Sequence, residues 1–309
     1  MATLTTPAYS DYPDKPVRLI APLPPGNATD TVARTAAKKL EDALRQPFVV
    51  DNRPGAGGGL GAEIAAKAAP DGYTLLVGSS GTLAINPGLN SKLSYNPLRD
   101  FTPIAQLATV PLFLAVNPNF PAKTAKDFVD LARKSPGKIN YGSNGNGTTT
   151  HIMMEGFKHA QKIDVPHVPY KGSGPALQDL AAGHIQVVFD TGSTLLPLAK
   201  DGKLRILANA SKTRSAAAPD VPTVAESGPG NFDAPAWVGL VAPANTPAAV
   251  INTLARALQQ NWLSADVRNV MRNAGGDAVL TTPAEFAAYI GEELDKWAAM
   301  IKVSGAQVD

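Results

Sequence analysis

The sequence predicts an α/β protein with a largely parallel sheet, divided between two lobes. Short apolar, strand-like runs alternate with Ala-rich amphipathic stretches, which is the pattern of repeated strand–helix units. The chain has 309 residues, enough for two domains at about 100–200 residues each. Segments near Val110-Pro111 and Ser227–Phe232 carry Pro or Gly and are the expected crossovers. We therefore place lobe 1 at residues 1–111 plus 230–309 and an inserted lobe 2 at residues 112–229.

The first strand and helix show why each element is predicted. Val17–Ala21 is an apolar run that ends at Pro22, and Thr29–Leu44 follows with apolar residues at the helical period of about 3.6. The same reasoning predicts strands at Phe48–Asp51, Tyr73–Val77, Leu112–Val116, Ile139–Gly142, Ile185–Phe189, Leu204–Ala208 and Trp237–Val241. It predicts helices at Gly61–Ala69, Ala125–Lys134, from the loop Ser143–Gly147 through Lys158, and at Pro247–Trp262, Ala265–Asn273 and Pro283–Val303.

Composition and charge exclude several classes of protein. The chain has no cysteine, which removes thiol catalysis, disulfide frameworks, Cys-based zinc sites and iron–sulfur clusters. Its net charge is +2 and its basic residues form no cluster, so we expect no nucleic-acid partner. No apolar run approaches the roughly 20 residues required to span a bilayer. Met1–Ser10 has neither a basic n-region nor an apolar h-region, so an exported form has its signal peptide absent from this sequence.

The motifs that carry catalysis or bind cofactors are incomplete. Gly57–Ala62 fits the loose G-x-G-x-x-A pattern, but no carboxylate stands at the end of the next strand, where a dinucleotide requires one. Gly78–Thr82 fails the G-x-S-x-G elbow because Thr82 replaces the last glycine. The 4 histidines form no H-E-x-x-H zinc motif. We therefore predict no catalytic residue, no metal and no cofactor.

Three loops place Gly, Ser, Thr or Asn directly before a helix or at the end of a strand: Gly26–Asp30, Gly78–Thr82 and Asn144–Thr150. The first N–H groups of a helix lack intrahelical acceptors and lie at the positive end of its dipole, which favours carboxylate or phosphate. One helix end contributes about 0.3–1 kcal/mol, whereas micromolar binding requires roughly 8 kcal/mol, so several ends must converge. Ordinary capping loops are the alternative interpretation, and the residues alone leave both open.

Several motifs occur in an order that is typical of one protein family. Tyr12–Ile20 is followed by Pro-x-Pro-Pro-Gly-x-x-x-Asp-x-x-Ala-Arg, which ends at Arg34. The later matching segments are Asp51–Gly58, Ala69–Leu75, Gly142–Gly147, His167–Gly172, Pro219–Gly228 and Glu293–Trp297. From about Tyr12 to Gly305, the chain resembles the receptors of tripartite tricarboxylate transporters, also called the Bug family.

The resemblance implies a periplasmic solute receptor without catalysis, with the two α/β lobes and cleft of a type II periplasmic binding protein. The implied ligand is a small organic carboxylate, either a di- or tricarboxylate or an aromatic acid such as terephthalate. The implied partners are that ligand and the membrane permease subunits of the transporter, and the chain is expected to be a monomer. An enzyme that uses His151 or Asp190 as general base, and a sensory ligand-binding module, are the alternatives.

The resemblance also implies that the ligand binds at the loop after the first strand and at the Ser-x-Gly-x-Gly loop of the other lobe. Thr29, Thr148 and Thr149 are expected to donate hydroxyls to carboxylate oxygens, and Asp30 to fix its own loop. Asp190 either accepts from the ligand or a water, or caps the following helix. The complete set of expected ligand-binding residues is Leu23, Gly26, Asn27, Ala28, Thr29, Asp30, Ser79, Ser143, Asn144, Gly147, Thr148, Thr149, His151 and Asp190.

Two positions depart from the family pattern. Family members usually carry a second glycine after Gly26, where this chain has Asn27, and an aromatic residue where it has Leu23. Asn27 adds an amide and a stiffer backbone, and Leu23 removes a ring from the cleft wall. Both changes are expected to alter which acid fits.

Overall fold

The computed structural model describes residues 12–306, so Met1–Ser10 and the outer ends of lobe 1 lie outside the described residues. The strands are β1 (Val17–Ala21), β2 (Phe48–Asn52), β3 (Thr74–Ser79), β4 (Phe101–Val110), β5 (Leu112–Val116), β6 (Tyr141–Ser143), β7 (His167–Pro169), β8 (Val187–Thr191), β9 (Arg205–Asn209), β10 (Ala236–Pro243) and β11 (Asp277–Ala278). The helices are α1 (Ala28–Leu44), α2 (Gly59–Ala66), α3 (Asn86–Leu89), α4 (Pro97–Asp100), α5 (Ala125–Lys134), α6 (Thr149–Gln161), α7 (Ser173–Ala182), α8 (Gly192–Lys200), α9 (Ala248–Asn261), α10 (Ala265–Asn273) and α11 (Pro283–Ser304). Within residues 12–306, no helix has both the length and the apolar character needed to cross a membrane.

Two sheets divide the molecule into lobes. The sheet of lobe 1 has the strand order β11-β4-β10-β3-β1-β2, and the sheet of lobe 2 has the order β7-β6-β8-β5-β9. The chain leaves lobe 1 through Pro111, the single residue between β4 and β5, and returns between β9 and β10. This is the two-lobed α/β architecture that the sequence predicts.

Each sheet is mixed rather than largely parallel. β1 pairs in parallel with β2 and β3, and β6 pairs in parallel with β7 and β8. β10 runs antiparallel to both β3 and β4, and β5 runs antiparallel to both β8 and β9. Two parallel strands that follow each other in one sheet require a crossover connection, usually a helix. β5 and β10 enter their sheets directly from the other lobe, so this requirement does not apply to them. The predicted parallel arrangement is therefore correct for the strand–helix repeats and wrong for the strands that follow a crossover.

Both faces of each sheet are buried, which explains the continuous apolar runs of the strands. In β1, Leu19 packs with α1 and α9, whereas Ile20 packs on the opposite face with α2 and α11. In β5, Leu114 and Phe113 divide in the same way between the two cores of lobe 2. Each such side chain contributes roughly 1.5–3 kcal/mol when fully buried. The loops that follow these strands are thus held at fixed positions.

The elements that sequence analysis misses lack clear periodicity. β4 contains Pro103 and pairs with β10 through two register shifts, so its alternation is broken. α8 begins at Gly192 and contains Pro197, and both residues have low helix propensity. The helix α7 and the short elements β7, β11, α3 and α4 also escape prediction. The predicted strand at Ile185–Phe189 is displaced, because β8 starts and ends two residues later.

Direct contacts also join the two lobes. α11 of lobe 1 packs against α6 of lobe 2, where a Cβ on Gly156 would lie 2.9 Å from Met300 Cγ. Before β11, Gly275 has φ +76°, and a Cβ there would lie 2.3 Å from Ser193 N at the start of α8. Only glycine permits this approach of the two backbones. Asp277 of β11 adds a hydrogen bond, accepting from Ser215 Oγ at 2.9 Å.

Candidate binding cleft

A cleft of about 1300 Å³ lies between the lobes. Lobe 1 contributes the loops after β1 and β3, and lobe 2 contributes the loop before α6 and the start of α8. The polar lining consists of Ser, Thr and Asn side chains and backbone amides, and no lining residue in the described part of the chain is charged. An anion in this cleft is therefore stabilised by dipoles and hydrogen bonds rather than by ammonium or guanidinium groups.

The lobe 1 wall begins with the loop between β1 and α1. Gly26 has φ +89°, and Asn27 caps α1 by accepting from Asp30 N at 3.1 Å. Asp30 is buried and accepts from Gly26 N at 3.0 Å. Its other donors are Arg34 Nε and Asn52 Nδ2, each at 2.9 Å. Burial raises the pKa of Asp30, but these hydrogen bonds outweigh it and hold the pKa below 3.8, so the carboxylate stays charged and fixes its own loop.

The first turn of α1 leaves backbone donors at the cleft. Ala28 and Thr29 line it, and their N–H groups lie where an α-helix has no acceptor for them. Leu23, Gly26 and Asn27 line the same wall. This part of the lobe 1 wall therefore combines amide donors with the apolar side chains of Leu23 and Ala28.

The end of β3 and the loop after it contribute Ser79, Ser80 and Gly81 to the lobe 1 wall. Ser79 N donates to Thr82 Oγ1 at 2.8 Å, and Thr82 Oγ1 donates to Ser79 O at 3.1 Å. Tyr95 OH donates to Thr82 O at 2.5 Å. These bonds fix a π-helical turn over Gly81–Ile85, a geometry that is frequent at functional sites.

The lobe 2 wall begins with the glycine-rich loop before α6. Thr148 caps this helix by accepting from His151 N at 3.5 Å, and its hydroxyl donates to Gly145 O at 2.7 Å. The Thr148 proton is thus engaged within the loop, whereas the sequence predicts its donation to a carboxylate. Thr149 lines the cleft beside Gly147, and its N–H lies in the first turn of α6. Thr149 therefore offers both a hydroxyl and an amide.

Three further predicted residues of lobe 2 support this loop from behind. Ser143 Oγ lies 2.6 Å from His167 Nε2. Asn144 N donates to Thr150 Oγ1 at 3.0 Å, and His151 Nδ1 accepts from the Gly147 amide at 3.1 Å. None of the three predicted residues lines the cleft.

Asp190 is a buried carboxylate in β8, immediately before α8. It is 3% exposed and accepts from Thr191 N at 2.7 Å. Burial raises its pKa above the ordinary value, despite hydrogen bonds from Ser173, Thr191, Thr194 and Asn144. Of the two roles left open by the sequence, this geometry favours the structural one, in which Asp190 fixes the start of α8.

A comparison with known proteins identifies the family. The model of the tripartite tricarboxylate transporter family receptor matches residues 32–306. This chain belongs to that family. Protein BugT of Bordetella pertussis is 35% identical to this receptor over 309 residues, which cover 99% of this chain and 95% of BugT.

Solved structures agree with the assignment of this receptor. One described as a periplasmic transporter is 42% identical with a TM-score of 0.80, covering 96% of this chain and 100% of that one. Rpa4515 of R. palustris, solved with adipate, is 32% identical with a TM-score of 0.81 and the same coverage. MatC of Rhodopseudomonas palustris, with bound malate, is 33% identical with a TM-score of 0.76, covering 94% and 100%. The predictions of a two-lobed fold and of a receptor rather than an enzyme are confirmed.

The predicted ligand-binding residues of this receptor fall into two groups. Those that line the cleft are Leu23, Gly26, Asn27, Ala28, Thr29, Ser79, Gly147, Thr148 and Thr149. Those that lie behind its lining are Asp30, Ser143, Asn144, His151 and Asp190.

Sequence analysis of this receptor misses several polar residues of the cleft. Thr191, Ser193 and Thr194 line it at the start of α8, and Asn273 lines it at the end of α10. The segment Asp190–Thr194 has small polar residues and a glycine after a strand, as the loops Gly26–Asp30 and Asn144–Thr150 do. The helix that follows it is not predicted, because Pro197 interrupts the helical pattern. The position of Asn273 depends on how the lobes meet, which no local pattern reveals.

Proposed function

We propose that this receptor binds a small organic dicarboxylate in the interlobe cleft and delivers it to the permease subunits of a tripartite tricarboxylate transporter. The observation that carries the proposal is the convergence of two helix starts, α1 from lobe 1 and α6 from lobe 2, on one cleft. Within residues 12–306, no charged side chain lines this cleft. Two solved relatives hold adipate and malate, which are both dicarboxylates. The family supports the permease partner.

The cleft suits two negative charges better than three. One carboxylate fits between the first turns of α1 and α6, where Ala28, Thr29 and Thr149 present amides. A second carboxylate fits the first turn of α8, beside Ser193 and Thr194. Each helix start stabilises an anion by typically about 0.3–1 kcal/mol, and by up to about 2 kcal/mol when partly buried. Among the described residues, no basic side chain lines the cleft to neutralise a third charge, so we rank tricarboxylates below dicarboxylates.

The apolar lining suits the part of the ligand between its acid groups. Leu23, Ile85, Val110 and Val238 all border the cleft. A methylene chain or an aromatic ring gains roughly 25 cal/mol for each Å² that such side chains remove from water. An aliphatic diacid is therefore the first candidate, and terephthalate is the aromatic candidate.

We also propose that the receptor acts in the periplasm as a monomer, with lobe 1 at residues 1–111 plus 230–309 and lobe 2 at residues 112–229. The membership of the sheets supports these limits, because β5 to β9 fall within 112–229 and the other strands fall outside it. Solved relatives described as periplasmic proteins support the location.

A thermal-shift screen over aliphatic and aromatic mono-, di- and tricarboxylates tests the proposed function. A dicarboxylate at about 100 times its Kd should stabilise the fold by about 2.7 kcal/mol, which raises Tm clearly. The matched control is the dimethyl ester of the same acid, which keeps the chain and removes the charges. The ligand should be recovered unchanged after incubation. A rise in Tm that is equal for acid and ester, or absent for every acid, would contradict the proposal.

A further inference from the structure

Two histidines lie stacked behind the loop Ser143–Gly147 of lobe 2. The rings of His151 on α6 and His167 on β7 have centroids 4.2 Å apart and are inclined by 12°. The ring of Tyr141 on β6 stacks on His167 at 4.7 Å and 15°. His151 is only 7% exposed. The proposed ligand contacts use neither imidazole, so the pair needs a separate explanation.

Each histidine holds one end of the loop. His167 Nε2 lies 2.6 Å from Ser143 Oγ at the first residue, and His151 Nδ1 accepts from Gly147 N at 3.1 Å at the last. Because an N–H donates to Nδ1, that nitrogen carries no proton, and the neutral His151 is protonated on Nε2. Gly147 lines the cleft, so the hydrogen bond to His151 positions part of the cleft wall.

The surroundings favour the neutral form of both rings. Burial lowers the pKa of His151 and of His167, the latter to about 4. The charged groups that act on them belong to α6: Lys158 lowers both pKa values and Glu155 opposes this, while His151 also lowers the pKa of His167. Glu155 is itself engaged, accepting from Tyr141 OH at 2.5 Å and from Lys158 Nζ at 2.7 Å. On the remaining side, α11 meets α6 through an apolar methionine at Gly156.

We propose that His151 and His167 are positioning residues that hold the lobe 2 loop while both rings are neutral, and that acidification releases the Gly147 end and weakens ligand binding. A proton on His151 Nδ1 turns the acceptor into a donor that faces the Gly147 N–H. Two charged rings stacked 4.2 Å apart would repel each other, so the pair takes up at most one additional proton between pH 8 and pH 4. The effect on the loop stands on this geometry alone, and the effect on affinity rests on the proposed function.

Two variants separate hydrogen bonding from stacking. His151→Asn places an amide oxygen near the position of Nδ1 and does not titrate, whereas His151→Phe keeps a stacking ring and has no acceptor. In ¹⁵N-labelled protein, we expect the wild-type Gly147 amide to shift between pH 8 and pH 4. Its exchange protection, corrected for the intrinsic rate, should fall about fivefold, as expected for the loss of one hydrogen bond. His151→Asn should stay protected throughout, and His151→Phe should show the lower protection even at pH 8. Circular dichroism identifies the range in which each protein is folded.

Two outcomes would overturn the loop assignment: a His151→Asn amide that follows the wild-type curve, or a His151→Phe amide that keeps full protection at pH 8. For the affinity, adipate is titrated into wild type and His151→Asn at pH 7.5 and pH 5. Protonation of adipate affects both proteins equally, so the wild type should lose about fivefold more affinity than the variant. Equal losses would overturn the coupling. If no carboxylate binds at any pH, the proposed function and the coupling both fail, while the amide measurements still decide the role of the histidines.

Discussion

The two helix starts at the cleft are held by chemically different groups. In lobe 1, the charged carboxylate of Asp30 accepts from Gly26 N and fixes the loop before α1. In lobe 2, neutral groups do the same work: the Thr148 hydroxyl caps α6, and the His151 imidazole accepts from Gly147 N. Charge-assisted hydrogen bonds are roughly twice as strong as neutral ones, so the lobe 1 loop is the more firmly fixed of the two.

The difference also sets how strongly each helix attracts an anion. Asp30 lies in the first turn of α1, where its negative charge offsets the positive end of the dipole, whereas the first turn of α6 contains no acidic residue. The start of α6 therefore presents the more positive potential to a ligand. We infer that stability depends more on the lobe 1 loop and that ligand affinity depends more on the lobe 2 loop.

The largest effect on stability is expected from Asp30→Asn. The variant loses the carboxylate that accepts from Gly26 N, Arg34 Nε and Asn52 Nδ2. Its side-chain NH₂ group would also face at least one of these N–H donors. Hydrogen bonds to a charged group contribute about 1.5–3 kcal/mol, so we expect the free energy of unfolding at pH 7 to fall by about 2 kcal/mol. Urea denaturation measures this change.

The matched control for that variant is Asp42→Asn on the same helix. Asp42 forms an exposed pair with Lys38, and solvent-exposed pairs contribute little to stability. The pKa of Asp30 lies below 3.8 in the folded protein, so its contribution is complete above that value and is lost as pH falls through the lower, folded pKa. The wild-type and Asp30→Asn stabilities should therefore converge in acid. A constant difference down to the lowest pH at which both fold would contradict the role of the charge.

The next effect concerns the response of lobe 2 to acid. The folded pKa of His167 is about 4, compared with 6.5 ordinarily, so the unfolded chain binds a proton that the folded chain does not. The neutral ring stabilises the fold above about pH 6.5, and this contribution declines as pH falls toward 4. His167→Phe keeps a stacking ring without titrating, so its stability should fall less steeply over this range. Equal slopes in wild type and His167→Phe would refute the assignment.

Thr148→Val should lower the stability of the fold moderately and should also weaken carboxylate binding. The variant loses the cap of α6 and the hydrogen bond to Gly145 O, and loss of an N-cap costs typically about 1 kcal/mol. We expect a folded protein with a Tm lower by a few degrees and a several-fold higher Kd for the best carboxylate of the screen. Thr148→Ser keeps the hydroxyl and should restore both values. Unchanged affinity in calorimetry would remove this cap from the determinants of binding.

A helix or strand is predicted well from the sequence when its apolar residues recur with a regular period. α5 and α10 are predicted with their observed bounds, because each has a clear apolar face, and α5 also has the Thr124 capping box. β4 and α8 are missed because Pro103 and Pro197 interrupt their local patterns and tertiary packing compensates. Strand direction is only partly predictable, because β5 and β10 take their orientation from the crossovers.

The site is predicted in outline for a related reason. Loops that follow strands and precede helices are visible as runs of Gly, Ser, Thr and Asn, and both main loops do line the cleft. Which member of a loop faces the cleft depends on hydrogen bonds inside the loop, so Thr148 and His151 are predicted as ligand contacts although their polar atoms bond within lobe 2. The stacking of His151 on His167 joins a helix and a strand and has no sequence signature.

The smallest effect is expected from Asn27→Gly, which restores the glycine usual in the family. Asn27 has φ −90°, in the extended region, so its backbone does not require glycine. The substitution removes the cap on Asp30 N and the hydrogen bond that Asn27 Nδ2 donates to Pro24 O. Asn→Gly at an N-cap costs a few tenths of a kcal/mol, roughly 0.3, and the amides of Ala28 and Thr29 remain in place. We therefore expect calorimetry with the best carboxylate to give a Kd within about twofold of wild type. A loss of affinity as large as that of Thr148→Val would mean that the lobe 1 loop governs binding as strongly as the lobe 2 loop, and the contrast between the two helix starts would fail.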